Sequence, residues 1–297
     1  MKKIIFILFT IAGASSLNAQ QLQTSVFFEA QQIMHNPAFA GTGENNFIGI
    51  NYRNQWANIN GGPKTATIYG SFALPKQKLG MSGYVYNDKT GPTSRTGISL
   101  SVAKHIKLEG DATLSFGIEN RFQQFMLDQS KLTEYLGTDA AIGNANKSVK
   151  YDAGFGISYT TKKLQLGIAA TQLLQGRLNN YVGNLNRTEE ARLYRHFYAT
   201  GNYTIHLDET VSMIPNFMVI YFPNAPTEVN LGTRFKYADV CWLGLGSSLT
   251  GNFTFSFGLN VSKGLSVDYA FDLYNNASSN FNVNANEFML RYQLKRK

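Results

Sequence analysis

Histidine, serine, aspartate and cysteine are the side chains here that could do chemistry, and their spacing decides what they can do together. The four histidines, His35, His105, His196 and His206, are isolated and lack the paired spacing of a metal site. On a strand the nearest two, ten residues apart, would be separated by over 30 Å, at about 3.3 Å per residue. Serine, aspartate and histidine are all present, yet no G-x-S-x-G elbow or similar nucleophile setting occurs. Asp268 and Asp272 fall on one strand face, about 13 Å apart; that is too far to share a proton and suits solvated wall residues. The lone Cys241 sits in a strand-like run, where it reads as a small apolar filler with no internal disulfide partner. The residues therefore point to no catalytic group, no metal and no cofactor.

The elements that must position these side chains are strands. In Leu79–Ile106, Ile98, Leu100 and Val102 alternate with Gly97, Ser99, Ser101 and Ala103. Side chains on a strand point to opposite faces at each step, so one face is apolar and the other small or polar. The preceding run puts Leu79, Met81 and Val85 on one face and Ser82, Tyr84, Tyr86 and Asp88 on the other. Asp88–Pro92 between the two runs is turn chemistry. Fourteen such strands are expected: 46–55, 64–73, 78–88, 94–106, 112–124, 148–160, 164–174, 192–205, 210–220, 228–237, 240–248, 252–261, 265–273 and 284–294. Pro215 makes 210–220 the weakest.

Connection lengths add an independent signal. Beginning after the first strand, odd connections such as 125–147 and 175–191 are long, whereas even ones such as 161–163 and 238–239 are short. Outer-membrane barrels show this asymmetry, with tight periplasmic turns, long outer loops and an even strand count. Residues 1–19, with Met1-Lys2-Lys3 ahead of a short apolar run and Leu17-Asn18-Ala19 at its end, read as a signal peptide for export. Residues 20–45 form a segment without period-2 alternation, placed as a plug or in the periplasm, and 46–297 form the barrel. Charged residues make up only 15%, against about a quarter in soluble proteins, as a lipid-facing wall requires. The formal charge of +8 is spread thinly along the chain, which excludes nucleic acid as the partner. Charges of both signs (Glu119, Arg121, Asp152, Arg234, Lys236, Asp268, Asp272) fall on the inner face. Tyr159, Tyr203, Tyr221, Tyr237, Trp242 and Tyr292, near strand ends, are candidates for aromatic girdles in contact with lipid headgroups.

Four short motifs in order carry a resemblance: Asn36-Pro37-Ala38-Phe39-Ala40-Gly41, with Phe39 where Tyr is expected; Tyr52-Arg53-Asn54-Gln55-Trp56; Gly62-Pro63-Lys64-Thr65; and the Asp88…Gly91-Pro92 loop. Together they resemble the PorP/SprF family of outer-membrane barrels associated with type IX secretion and, in some members, with gliding motility. The motifs lie within about the first hundred residues. The resemblance implies a non-enzymatic barrel that engages a secreted or surface-anchored protein, a cargo domain or adhesin, alongside periplasmic or outer-membrane secretion components. A passive channel or uptake barrel is the alternative. Arg53 and Gln55 fall on the polar face, where they serve either a structural network with a lumen carboxylate or direct partner contact. The longest loops carry Tyr135, Leu136, Leu173, Leu174, Tyr181, Val182 and Leu185. These form either a partner-docking rim with 56–63 and 89–93 or a lid folded over the barrel mouth.

Overall fold

Alternation in the sequence becomes a two-sided wall. In a computed structural model that describes residues 25–43, 46–128, 130–131, 147–177, 192–223, 225–249, 251–274 and 283–294, Leu100 is 62% exposed while its neighbours Ser99 and Ser101 are buried. The pattern runs opposite to that of a water-soluble protein. Large apolar side chains cover the outside, and among the described residues more polar than apolar residues are buried. Such a surface is stable only where the outside is hydrocarbon.

The strands are β1 (Asn46–Gln55), β2 (Lys64–Leu74), β3 (Leu79–Thr90), β4 (Thr93–Lys107), β5 (Thr113–Leu127), β6 (Lys147–Thr160) and β7 (Leu164–Thr171). They continue with β8 (His196–Tyr203), β9 (Ile205–His206), β10 (Val211–Tyr221), β11 (Glu228–Tyr237), β12 (Cys241–Ser248), β13 (Asn252–Asn260), β14 (Leu265–Tyr274) and β15 (Val283–Leu294). Every pairing is antiparallel between neighbours, and β8 and β9 are two pieces of one stave, both pairing with β10. The interruption falls at Thr204, opposite Pro215's neighbourhood, where the missing proline N–H removes a ladder donor. First and last strands then join, from Asn46 opposite Leu294 to Gln55 opposite Ala285. Fourteen staves close into a barrel, leaving no sheet edge to be satisfied in lipid.

Connections at one end are short, as at 108–112, 161–163 and 207–210; at the other end they reach 128–146 and 172–195. The short end is periplasmic and the long end is outer. Two expectations change here. The polar loop at 89–93 shrinks to the two residues Gly91 and Pro92, because β3 and β4 stay paired out to Thr90 and Thr93. β7 ends at Thr171 rather than 174, since Gln172 takes a left-handed φ of 56° that a strand cannot continue.

Residues 25–43 lie inside the barrel as turns and two short 3-10 segments, Gln32–Met34 and Pro37–Phe39. Phe27, Ile33, Ala38, Phe39 and Ala40 are buried there. This segment is a plug, and it packs on β3 to β7.

Candidate functional site: a plugged lumen with an outer vestibule

The local chemistry of Asn36-Pro37-Ala38-Phe39-Ala40-Gly41 explains the plug's seat. Asn36 is extended, as a residue before proline prefers, and Pro37 opens a helical turn with a φ already set. The Asn36 Oδ1 accepts from the Ala38 N–H at 2.9 Å. Its Nδ2 donates to the carbonyls of Ile157 on β6 and Ile168 on β7, at 3.0 and 3.2 Å. One amide therefore caps the turn and stitches it to two staves. The wall beneath is made of small residues. A Cβ at Gly117, Gly156 or Gly167 would come within 3.0 Å of Pro37, Asn36 or Phe39. Gly41 closes the motif with φ +68°, its N–H donating to Ser71 Oγ at 2.7 Å. A side chain there would also run into the backbone of Gly80.

The start of the plug is held by a second network, at the seam between β1 and β15. Arg53 donates to Glu287 Oε2 at 2.8 Å and to Asp272 Oδ2 at 2.5 Å, and to the Tyr274 hydroxyl at 3.0 Å. Glu287 has no exposed surface, so its charge must be matched within the wall. Four donors do so: Arg53 Nη1, Asn51 Nδ2 at 2.6 Å, the Val26 N–H at 2.9 Å and the Ser25 hydroxyl. The carboxylate thus joins the first strand, the last strand and the plug.

A third network lies on the opposite wall, where Glu119 accepts from Arg121, Tyr84 at 2.7 Å and Ser99 at 2.5 Å. His35 of the plug faces this cluster, with its ring 5.3 Å from that of Tyr198. Burial pulls the His35 pKa down to about 4; Arg121 adds to the fall and Glu119 opposes it. The imidazole is therefore neutral in the docked plug.

The plug fills one side of the lumen and leaves a cavity on the other. A cavity of about 310 Å³ lies between the plug and β10 to β14, reaching from Phe27 and Trp242 up to Trp56, Phe222, Asn252 and Tyr274 at the outer ends of the staves. Its wall carries Glu29, whose Oε2 accepts from Arg234 and from Asn216, both at 3.3 Å. Arg234 also stacks over Trp242, 4.3 Å from the ring centre.

The residues singled out in the sequence fall in separate places. Asn36, Pro37 and Gly41 seat the plug. Arg53 lies in the seam network, and Trp56, with a left-handed φ of 53°, lines the vestibule. Tyr52 is 44% exposed on the outer face of the wall. Gly91 and Pro92 form a rim turn, where the Gly91 N–H donates to the Gly61 carbonyl at 2.9 Å. Tyr135, Leu136, Tyr181, Val182 and Leu185 lie outside the described residues.

Two readings of the inner wall are corrected. Trp242 is not a girdle residue: Leu243 and Leu245 take the lipid face, while its indole N–H donates inward to Asp268 at 2.9 Å and Phe27 packs edge-on against it. Asp268 and Asp272 are not solvated either. Both are buried, the first held by Trp242 and Ser266, the second by Arg53 and Thr254. Glu29 and Glu287, which sequence reasoning missed, complete the networks. Period-2 alternation with Ala285, Met289 and Arg291 was the signal that places Glu287 inward.

Fold and lumen together define an outer-membrane β-barrel protein with an internal plug. Among solved structures, the chain resembles the CymD monoaromatic hydrocarbon channel (TM-score 0.51, 12% identity, 90% of this chain and 93% of that one). Acinetobacter baumannii outer membrane protein Omp33 is also similar (TM-score 0.50, 6% identity, 85% and 100%). At those identities the likeness is one of fold. No curated protein matches the chain. Residues 16–292 match the family described as type IX secretion system membrane protein PorP/SprF. The chain belongs to that family, which is one of secretion-associated membrane barrels.

Proposed function

We propose that this barrel holds a secreted or surface-anchored protein, a cargo domain or adhesin, at the outer face of the outer membrane as part of type IX secretion. The observation that carries this reading is the fixed plug. Asn36 bonds two staves and Glu287 binds the plug's first residues into the barrel seam, an arrangement suited to a rigid receiving surface rather than to solute flow. Loops carry binding on rigid scaffolds, and the rim built on 56–63 and the Gly91-Pro92 turn is the docking surface in this reading. Export follows cleavage of 1–19, leaving Gln20 as the first residue.

The test is to delete the gene and compare proteins retained at the cell surface with those released to the medium. Loss of a specific surface protein, restored by the intact gene, is the expected result. An unchanged surface complement would set the reading aside. Gliding in that strain decides whether the retained protein serves motility.

A further inference from the structure

The outer vestibule carries a charge imbalance that the fold itself leaves unused. Arg53 is shared by two carboxylates, Asp272 and Glu287. Arg234 pairs with Glu29. Glu228, at the outer end of β11, accepts only from Asn230 Nδ2 at 2.9 Å and forms no ion pair among the described residues. The lining therefore holds one carboxylate more than its arginines, Glu29, Glu228 and Asp272 against Arg53 and Arg234, in a chain whose formal charge is +8. Glu228 is half-buried, so water screens it less than it would a surface charge.

The rest of the lining offers both donors and acceptors. Asn216, Asn230 and Asn252 line the cavity, as does Arg53, whose buried Nε–H has no partner among the described residues. Alternating donors and acceptors complement a peptide backbone, which presents both at every residue. Two of the aromatic faces that a sugar would stack on are taken, Trp242 by Arg234 and Phe27, and Phe222 by burial, which leaves Trp56 and Tyr274 at the outer end. A cavity of about 310 Å³ sits at the small end of ligand clefts and is too small for a folded domain. It has room for a chain end or a loop tip.

We propose that the vestibule receives a short extended polypeptide segment bearing a lysine or arginine side chain, whose cation is met by Glu228. This deepens the partner-holding function and rests on it.

Both tryptophans of the chain, Trp56 and Trp242, line the vestibule, so intrinsic emission reports occupancy. The full-length barrel in detergent is titrated with capped Gly-Lys-Gly, Gly-Leu-Gly, Gly-Glu-Gly and maltotriose. Saturable binding of the lysine peptide is expected, weakened about fivefold by Glu228→Gln, the factor set by one partly screened ion pair, and weakened by added salt. Glu109→Gln, at an exposed turn of the periplasmic end, leaves the titration unchanged, and a heat-modifiable gel shift confirms that each variant is folded. Equal binding of all three peptides, tighter binding of maltotriose, or no response to the lysine peptide into the millimolar range overturns the proposal. Partner retention in cells separates the two levels. If retention needs the barrel while the lysine peptide fails to bind, the vestibule assignment alone is lost; if retention is independent of the barrel, the functional reading falls.

Discussion

Arg53 and Glu287 meet 2.8 Å apart across the seam where the first strand of the barrel joins the last. They are 234 residues apart in sequence, so the contact exists only when the cylinder is closed. Glu287 also accepts from the Val26 N–H of the plug. One buried ion pair therefore couples barrel closure to plug position.

Removing Arg53 leaves Asp272 and Glu287 buried without their cation. Arg53→Ala is expected to destabilise the barrel by about 3–5 kcal/mol, as for other buried pairs cut on one side. Lysine restores only part, because it cannot fork onto two carboxylates. The temperature at which the folded gel band converts to the unfolded one measures this. Loss of partner retention at unchanged thermal stability would instead make Arg53 a contact residue.

The plug's seat depends on wall residues with no side chain. Gly156→Leu drives atoms into Asn36, so the barrel is expected to insert while the plug comes away from β6. Gly246→Ala, whose added carbon would meet only ordinary contacts at 3.4 Å or more, is the matched control and changes nothing. Protease cleavage within residues 25–43 of the purified protein distinguishes the two. Equal protection in both variants would show that the seat tolerates the bulk.

Acid is expected to loosen the plug. The docked His35 has its pKa pulled to about 4, below the solvated value near 6.5. The docked form binds fewer protons than the undocked form between those values, so docking is at full strength above about pH 6.5 and weakens as pH falls toward 4. The full effect is on the order of 3 kcal/mol. Arg121 and Glu119, with the Tyr198 ring, face the imidazole. Protease access to the plug should rise between pH 7 and pH 5 and do so less in His35→Gln. An identical pH response in that variant would assign the effect to other groups.

The outer wall is tested by charge. Leu100 is 62% exposed in the middle of β4, and Leu100→Arg is expected to cost about 2–4 kcal/mol, the penalty for arginine at mid-bilayer on a barrel. Refolding yields into lipid vesicles at increasing urea give the number. A cost near zero would place this face in water.

How far the sequence could be read depends on the range of the contacts involved. Alternation in stretches such as Leu114, Phe116 and Ile118 against Ser115, Gly117 and Glu119 is local, and it revealed wall, lipid face and strand number. The plug's seat is not local. Asn36 meets carbonyls of residues 157 and 168, and the glycines that make room for the plug look in sequence like any small inward residue. Trp242 was misplaced for a related reason. Position near a strand end matches a girdle tyrosine, and only the register of β12 and the buried Asp268 show that its N–H is needed inside.

The central claim, a plugged barrel that holds a protein rather than passing solute, is tested most directly by conductance. The full-length protein is reconstituted in planar bilayers at neutral pH, beside the Gly156→Leu variant. The wild type is expected to show no steady open current, and the variant to show long openings once its plug is displaced. Stable, porin-sized currents from the wild type would contradict the account.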